Sequence, residues 1–347
     1  MSLIRRGVTG GLPSRTTDAR WTDIAASIQS LPTCWIREDF LFWELCWKPN
    51  EITSPERLEA LLKLVISSGK KLQLNVVPCP HPMAEEWSKR VGGPWDTWMR
   101  PDFRLWEPIR ETLQLAIDHC VAKWEQFGGA KGSLVFEWFN EPATGHASGG
   151  NADREAKGTW SKTFHAFCSF LLIGEEGIDF HGYTVIAPAL SMFGEKDAEK
   201  VELATVVGGN DGQWWSKMKR RSMNLGIYLP SPARSAEDAA SMYRKELERI
   251  IHQMKVIKVP VPATHLHINE WYVTKPMLGY KNGECDDTFR ADCLIAIGKV
   301  IASYRDIEAA FFFSHFFPPE QAKSLYEDYS AYSGPLRTAV GKYLRGK

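Results

Sequence analysis

The feature of this 347-residue chain that most narrows its fold is a repeated alternation of short β-type runs with longer amphipathic stretches. The β-type runs fall at 4–9, 33–39 (TCWIRED), 71–78 (KLQLNVVP), 133–140 (SLVFEWFN), 183–190 (YTVIAPAL), 222–229 (SMNLGIYL), 265–270 (HLHINE) and 309–316 (AAFFFSHF). Helical patterns lie between them at about 54–69, 101–126, 160–173, 235–257 and 286–304, with a closing helix to 344. Ser235 stands at the N-cap position of its helix, with Glu237 and Asp238 in the first turn. Only 196–220 lacks a clean period, because Gly208, Gly209 and Gly212 interrupt it.

Strands that alternate with helices imply a parallel sheet buried on both faces. Eight such units over 347 residues average about 43 residues each, longer than the minimal barrel unit. The expectation is a single (β/α)8 (TIM) barrel domain over 1–347 with enlarged βα loops. An open doubly wound sheet would bring a glycine-rich first βα turn. The chain has no G-x-G-x-x-G and no Walker A pattern.

Composition narrows the function classes. Forty-two basic residues balance 42 acidic ones, and 44% of the chain is hydrophobic. That balance excludes disordered, collagenous and coiled-coil chains. A net charge of zero argues against nucleic acid or an acidic membrane as partner. No apolar run reaches the 18 or so residues of a membrane span. Arg5 and Arg6 are followed by no apolar h-region, so the expectation is a cytoplasmic protein, or a secreted one whose signal has been removed. Seven cysteines form no C-x-x-C pair and read as reduced core thiols.

Catalytic groups of such barrels sit where strands end and βα loops begin. The fourth run ends in Trp138-Phe139-Asn140-Glu141-Pro142 and the seventh in Ile268-Asn269-Glu270-Trp271. Glu141 and Glu270 are 129 residues apart, three average units, so they face one another across the same mouth. Two carboxylates flanking a bond are what glycosidic cleavage needs: one donates a proton to the leaving oxygen, the other attacks the anomeric carbon or activates water. Glu137, two residues before Phe139, is a rival on the same strand; a glutamate directed into a barrel core needs a cationic partner, and Arg37 is the candidate.

These residues resemble clan A of the glycoside hydrolases, and the resemblance spans nearly the whole chain. Asn140-Glu141-Pro142 after strand four and Glu270 after strand seven carry it. Trp35-Ile36-Arg37-Glu38-Asp39-Phe40 is similar to the arginine-bearing second strand of families 39 and 5, and Leu74–Pro78 followed by His81 is similar to the clan's third strand. The resemblance implies a retaining β-glycosidase without metal or organic cofactor. Glu141 would be the acid/base, Glu270 the nucleophile, and Asn140 the group binding the sugar 2-hydroxyl. Arg37 and Tyr228 would hold Glu270. At strand eight the clan's sugar-stacking tryptophan is absent; Phe312–Phe317 offers an aromatic ring or His315 instead.

Fourteen tryptophans suit sugar faces, and Trp271, directly after Glu270, is the one expected to contact substrate. The glycine-rich loop 143–159 lines a subsite or serves as a mobile connection. Two other functions share these residues. One is a carbohydrate-binding pseudoenzyme on the same barrel. The other is a metal-dependent hydrolase using His265 and His267, which share a strand face at period-2 spacing. No G-x-S-x-G elbow or H-E-x-x-H helix is present.

Overall fold

The computed structural model describes residues 5–9, 16–32, 34–78, 85–89, 102–139, 166–192, 214, 217–256, 266–281, 285–313 and 334–346. Eight strands lie among them: β1 (Arg5–Thr9), β2 (Trp35–Leu41), β3 (Lys71–Val77), β4 (Leu134–Trp138), β5 (Thr184–Met192), β6 (Arg220–Leu225), β7 (Leu266–Trp271) and β8 (Ile307–Phe312). Each pairs in parallel with the next, and β8 pairs with β1, so the sheet closes into a barrel. Around it stand α1 (Ala19–Ser30), α2 (Glu56–Ser67), α3 (Trp106–Gln126), α4 (166–172), α5 (Ala236–Val256), α6 (Asp287–Ala302) and α7 (Gly334–Arg345), with single helical turns at Phe42–Leu45 and Glu85–Ser88 outside this numbering. The (β/α)8 architecture is therefore the one the alternation implied.

The helices form where apolar residues recur at helical spacing. In α2 the buried positions include Leu58, Leu61, Leu62 and Val65; in α3 they include Ile109, Leu113, Ala116, Ile117 and Cys120. Caps fix several starts. Ser235 Oγ accepts from the Asp238 amide at 3.1 Å, where the sequence placed the cap of α5. Asp286 accepts from the Phe289 amide at 2.6 Å at the start of α6. The long third helix begins at Trp106 rather than at 101, because Asp102 caps a short 3-10 turn first.

Strand side chains alternate between the helix layer and the barrel interior. On β3, Leu72, Leu74 and Val76 join the outer core, while Gln73 and Asn75 face inward and are equally buried. The barrel interior divides into two kinds of filling. Trp35, Val135, Ile186, Ala309 and Phe311 form an apolar layer of their own. On β2 and β4, Arg37 and Glu137 lie one pleat further toward the strand ends and begin a polar layer. Room for the two large rings comes from β1: a Cβ on Gly7 would lie 2.6 Å from the Phe311 ring and 2.8 Å from the Trp35 carbonyl. Among the described residues, no helix is long and apolar enough to cross a membrane.

Candidate active site

The polar layer is held together by one buried guanidinium. Arg37, 2% exposed, donates from Nε to Glu137 Oε2 at 2.6 Å and from Nη2 to Glu137 Oε1 at 2.9 Å, while Nη1 donates to Glu270 Oε1 at 2.9 Å. Glu137 is fully buried and Glu270 is 13% exposed. Burial works against the charge on Arg37, but Coulombic attraction and hydrogen bonds from Glu137, with Glu270 and Asp39 adding theirs, hold its pKa above the ordinary value. The fork-to-fork pair with Glu137 fixes the plane of the guanidinium, which leaves its third edge aimed at Glu270. The network continues inward: Gln73 Nε2 donates to Glu137 Oε2 and to Asn269 Oδ1, each at 3.0 Å, and Gln73 Oε1 pairs with His267 Nδ1 at 3.2 Å.

Glu270 reaches Arg37 because β7 carries a bulge. Met223 pairs with Ile268 but Asn224 pairs with Glu270, and on the other side Ala310 pairs with Ile268 but Phe312 with Trp271. Both neighbours thus see one extra residue in β7 between Ile268 and Trp271. Simple alternation would send Asn269 inward and Glu270 outward. With the bulge both face the interior, Asn269 to Gln73 and Glu270 to Arg37.

The same bulge corrects the expectation for Trp271. Its side chain turns out to the helix layer, fully buried, edge-on to Phe312 and Tyr343 with ring centroids 5.2 and 5.0 Å away. A Cβ on Gly298 of α6 would sit 3.5 Å from its ring. Trp271 therefore packs the barrel against α6 and α7 and has no surface to offer a sugar. Trp138 is likewise fully buried, its Nε1 donating to Cys168 Sγ at 3.4 Å. Trp47, by contrast, is half exposed.

The other expected site residues divide by position. Tyr228 lies three residues past the end of β6, is 53% exposed, and makes no hydrogen bond to Glu270. His81, Asn140, Glu141 and His315 lie outside the described residues, as do His265, Trp95, Trp98 and the loop 143–159. At the approach to Asn140 the backbone is unusual: Phe139 has φ of 65°, a left-handed conformation costly for a side chain with a Cβ, and its amide donates to the Val76 carbonyl at 3.0 Å. Beyond β8, Phe313 packs edge-on to Tyr272 at an interplanar angle of 62°, centroids 6.2 Å apart, and is partly exposed.

His267 is engaged with Gln73, and its Nε2 lies 3.5 Å from Glu308 Oε2. Glu308 also pairs with Arg220, so the imidazole lies between a buried amide and a partly exposed ion pair. The six described cysteines are free and buried, and Cys79 lies outside the described residues.

Residues the sequence reading did not single out complete the layer: Gln73, Asn75 and Asn269 as buried amides, and Asp39 at the rim. A signal for them exists. Gln73 and Asn75 are polar at period-2 spacing within an otherwise apolar run, the mark of a strand with a polar inner face, whereas on β2 Glu38 stands between Arg37 and Asp39 and hides the same spacing.

A closed parallel barrel with a carboxylate presented to its interior at the end of β7, hung on an arginine from β2, defines the structural class. Comparison with solved structures agrees on the fold. The chain is similar to a GH5_18 protein from Bifidobacterium longum subsp. longum ATCC 55813 in complex with Manβ1-4GlcNAc, with a TM-score of 0.61 and 12% identity over 99% of this chain and 78% of that one. It is similar to a glycoside hydrolase family 5 enzyme from Prevotella bryantii B14, with a TM-score of 0.53 and 13% identity over 99% and 96%. It is also similar to an endo-β-1,4-glucanase from Xanthomonas axonopodis pv. citri, with a TM-score of 0.52 and 11% identity over 99% of each. No family model and no curated protein matches the chain.

Proposed function

We propose that the chain is a retaining glycoside hydrolase that cleaves β-glycosidic bonds of an oligo- or polysaccharide, with Glu270 as nucleophile and Glu141 as general acid/base. The observation that carries this reading is the placement of Glu270: nearly buried, at the end of β7, and held at 2.9 Å by an arginine already committed to a second carboxylate. A guanidinium at that distance favours the ionised form that a nucleophile requires. Because Glu137 anchors the other edge of Arg37, Glu270 is oriented without being fully neutralised. The fold shared with family 5 structures supports the same assignment.

In the first step a Glu270 oxygen bonds to the anomeric carbon. The carbon–oxygen bond to the leaving group breaks, and protonated Glu141 gives its proton to the departing oxygen. In the second step Glu141, now a carboxylate, takes a proton from water, which attacks the anomeric carbon and releases Glu270. All of this uses protein carboxylates and water alone.

The direct test is trapping with an activated 2-deoxy-2-fluoro β-glycoside, followed by peptide mass spectrometry. The expected adduct lies on Glu270, and NMR of the first-formed product should show the β-anomer. An α-anomeric product would replace retention by inversion. Turnover of Glu270→Gln or Glu141→Gln near the wild-type rate would remove that residue from its role. Binding of oligosaccharide without any hydrolysis by the wild-type chain would turn the reading into that of a carbohydrate-binding protein.

A further inference from the structure

Asp39 stands where the fold does not need a carboxylate. On β2 the inward residues are Trp35, Arg37 and Asp39, and Asp39 is the exposed one in the strand. At roughly 3.3 Å of rise per residue it lies about 6.6 Å beyond Arg37 along the strand, toward the barrel mouth. Arg37 feels its charge. Among the described groups the Arg37 guanidinium then faces three carboxylates, those of Glu137, Glu270 and Asp39, while Arg57 reaches the Asp39 carbonyl and pairs with Glu38 and Glu44. The buried pair is complete without Asp39, since Glu137 already takes two edges of Arg37.

Directly across on β3, Asn75 is 2% exposed and donates from Nδ2 to Asp39 Oδ1 at 2.8 Å. Its own Oδ1 is buried and accepts no hydrogen bond from the described residues. A buried amide oxygen without a donor is destabilising. The Asp39 carboxylate therefore stands exposed at the rim, held through one oxygen by Asn75 and beside a buried acceptor that has no donor among the described residues. Neighbouring hydroxyls of a sugar ring supply donors to an exposed carboxylate, and the carboxylates around it repel an acidic sugar.

We propose that Asp39, oriented by Asn75, binds a pair of hydroxyls of an uncharged sugar ring held over Glu270 and so sets which sugar is accepted. This rests on the glycosidase reading above. Hydrogen bonds from a hydroxyl to a carboxylate are about twice as strong as neutral ones, so the loss is large enough to read in kinetics.

The experiment compares the wild type with Asp39→Asn and Asp39→Ala on 4-nitrophenyl β-D-glucoside, β-D-mannoside and β-D-xyloside, and then on the monodeoxy analogues of the best substrate. Asp39→Asn preserves the bond from Asn75, so its melting temperature should equal or exceed that of the wild type. Its kcat/KM should fall about 10- to 100-fold, mostly through KM. The distinguishing result is non-additivity: a deoxy substrate that costs the wild type that factor should cost Asp39→Ala almost nothing further. Equal losses in both enzymes at every deoxy position, or unchanged kcat/KM in Asp39→Asn, would overturn the proposal while leaving the glycosidase intact. Wild-type cleavage of 4-nitrophenyl β-D-glucuronide as fast as of the glucoside would overturn the uncharged class. A wild type that cleaves none of these and traps no fluoroglycoside would overturn the glycosidase reading itself.

Discussion

Replacing Glu137 by Gln should be among the most damaging single changes available in the barrel, although the two side chains have nearly the same shape. The carboxylate accepts three hydrogen bonds, two from Arg37 and one from Gln73. Glutamine can keep the two that meet at Oε2 by turning its NH2 toward Arg37 Nη2. That sets donor against donor and leaves a buried guanidinium with Glu270 as its remaining close counter-charge. Breaking a buried ion pair from one side typically costs about 3–5 kcal/mol. An unfolding entropy of about 2.1 cal/mol/K per residue gives roughly 0.7 kcal/mol/K for a chain of this size, so the melting temperature should fall by about 4–7 °C. Scanning calorimetry measures the shift. Steady-state kinetics should show a second effect, a fall in kcat of about 10- to 100-fold, because an unclamped Arg37 no longer fixes Glu270 and misplacement of about 1 Å costs that much. The control is Arg37→Met with Glu137→Met, which should recover part of the lost stability and none of the activity. A Glu137→Gln protein that melts within 1 °C of the wild type would refute the claim that this pair is desolvated and mutually dependent.

Three further outcomes follow from the geometry. Trp271→Ala should cost about 3–5 kcal/mol of stability by opening a cavity between β7, β8 and α7, whereas Trp271→Phe should retain KM for any glycoside the wild type cleaves; a large rise in KM for the phenylalanine variant would return this ring to the substrate. Burial raises the thiols of Cys34, Cys46 and Cys293 to about 12, and those of Cys120, Cys168 and Cys285 upward as well. Cys34, Cys46, Cys120, Cys168 and Cys293 should label with iodoacetamide at pH 8 at least ~10³-fold more slowly than free cysteine, and Cys285 more slowly than free cysteine, counted by mass spectrometry before and after denaturation. Burial lowers His119 from 6.5, opposed by Glu59 at 3.3 Å and reinforced by Lys123. Below that ordinary value the unfolded chain takes up a proton that the folded one refuses, so stability falls as pH drops through 6.5 and levels off below the folded pKa. His119→Gln should flatten the dependence of melting temperature on pH between about 7 and 5, and an unchanged slope would move the effect elsewhere.

The barrel was legible because its signal is collective. A run such as Lys71-Leu72-Gln73-Leu74-Asn75-Val76-Val77 is apolar on one face whatever its neighbours do, and eight such runs at barrel spacing leave few alternatives. The pairing of Arg37 with Glu137 was legible for a related reason: a charge on an inward strand position requires an opposite charge, and few were on offer. The direction of Trp271 was not. Alternation within a strand holds only until a residue is inserted, and the insertion in β7 is defined by register with β6 and β8, which no local window of sequence contains. The start of α3 was missed for a smaller reason: helical periodicity runs back to 101, while the turn that stops it depends on the Asp102 side chain capping the Arg104 amide at 2.9 Å. Asn75 was visible as a polar residue alternating with apolar ones, and Asp39 only as one of three consecutive charges; the value of both lies in a contact across two strands.

The bulge in β7 also has a consequence for how such a chain can change by descent. Substitutions at Asn269 alter a hydrogen bond but leave the count of residues, and so the facing of everything after it, as it was. Loss of the Asn269 codon would do what no substitution does: restore plain alternation, with Ile268 outward, Glu270 inward and Trp271 outward as before, and remove the inward amide that meets Gln73. A strand without the insertion would already present the carboxylate at the mouth; the extra residue adds a second polar side chain to the interior beside it.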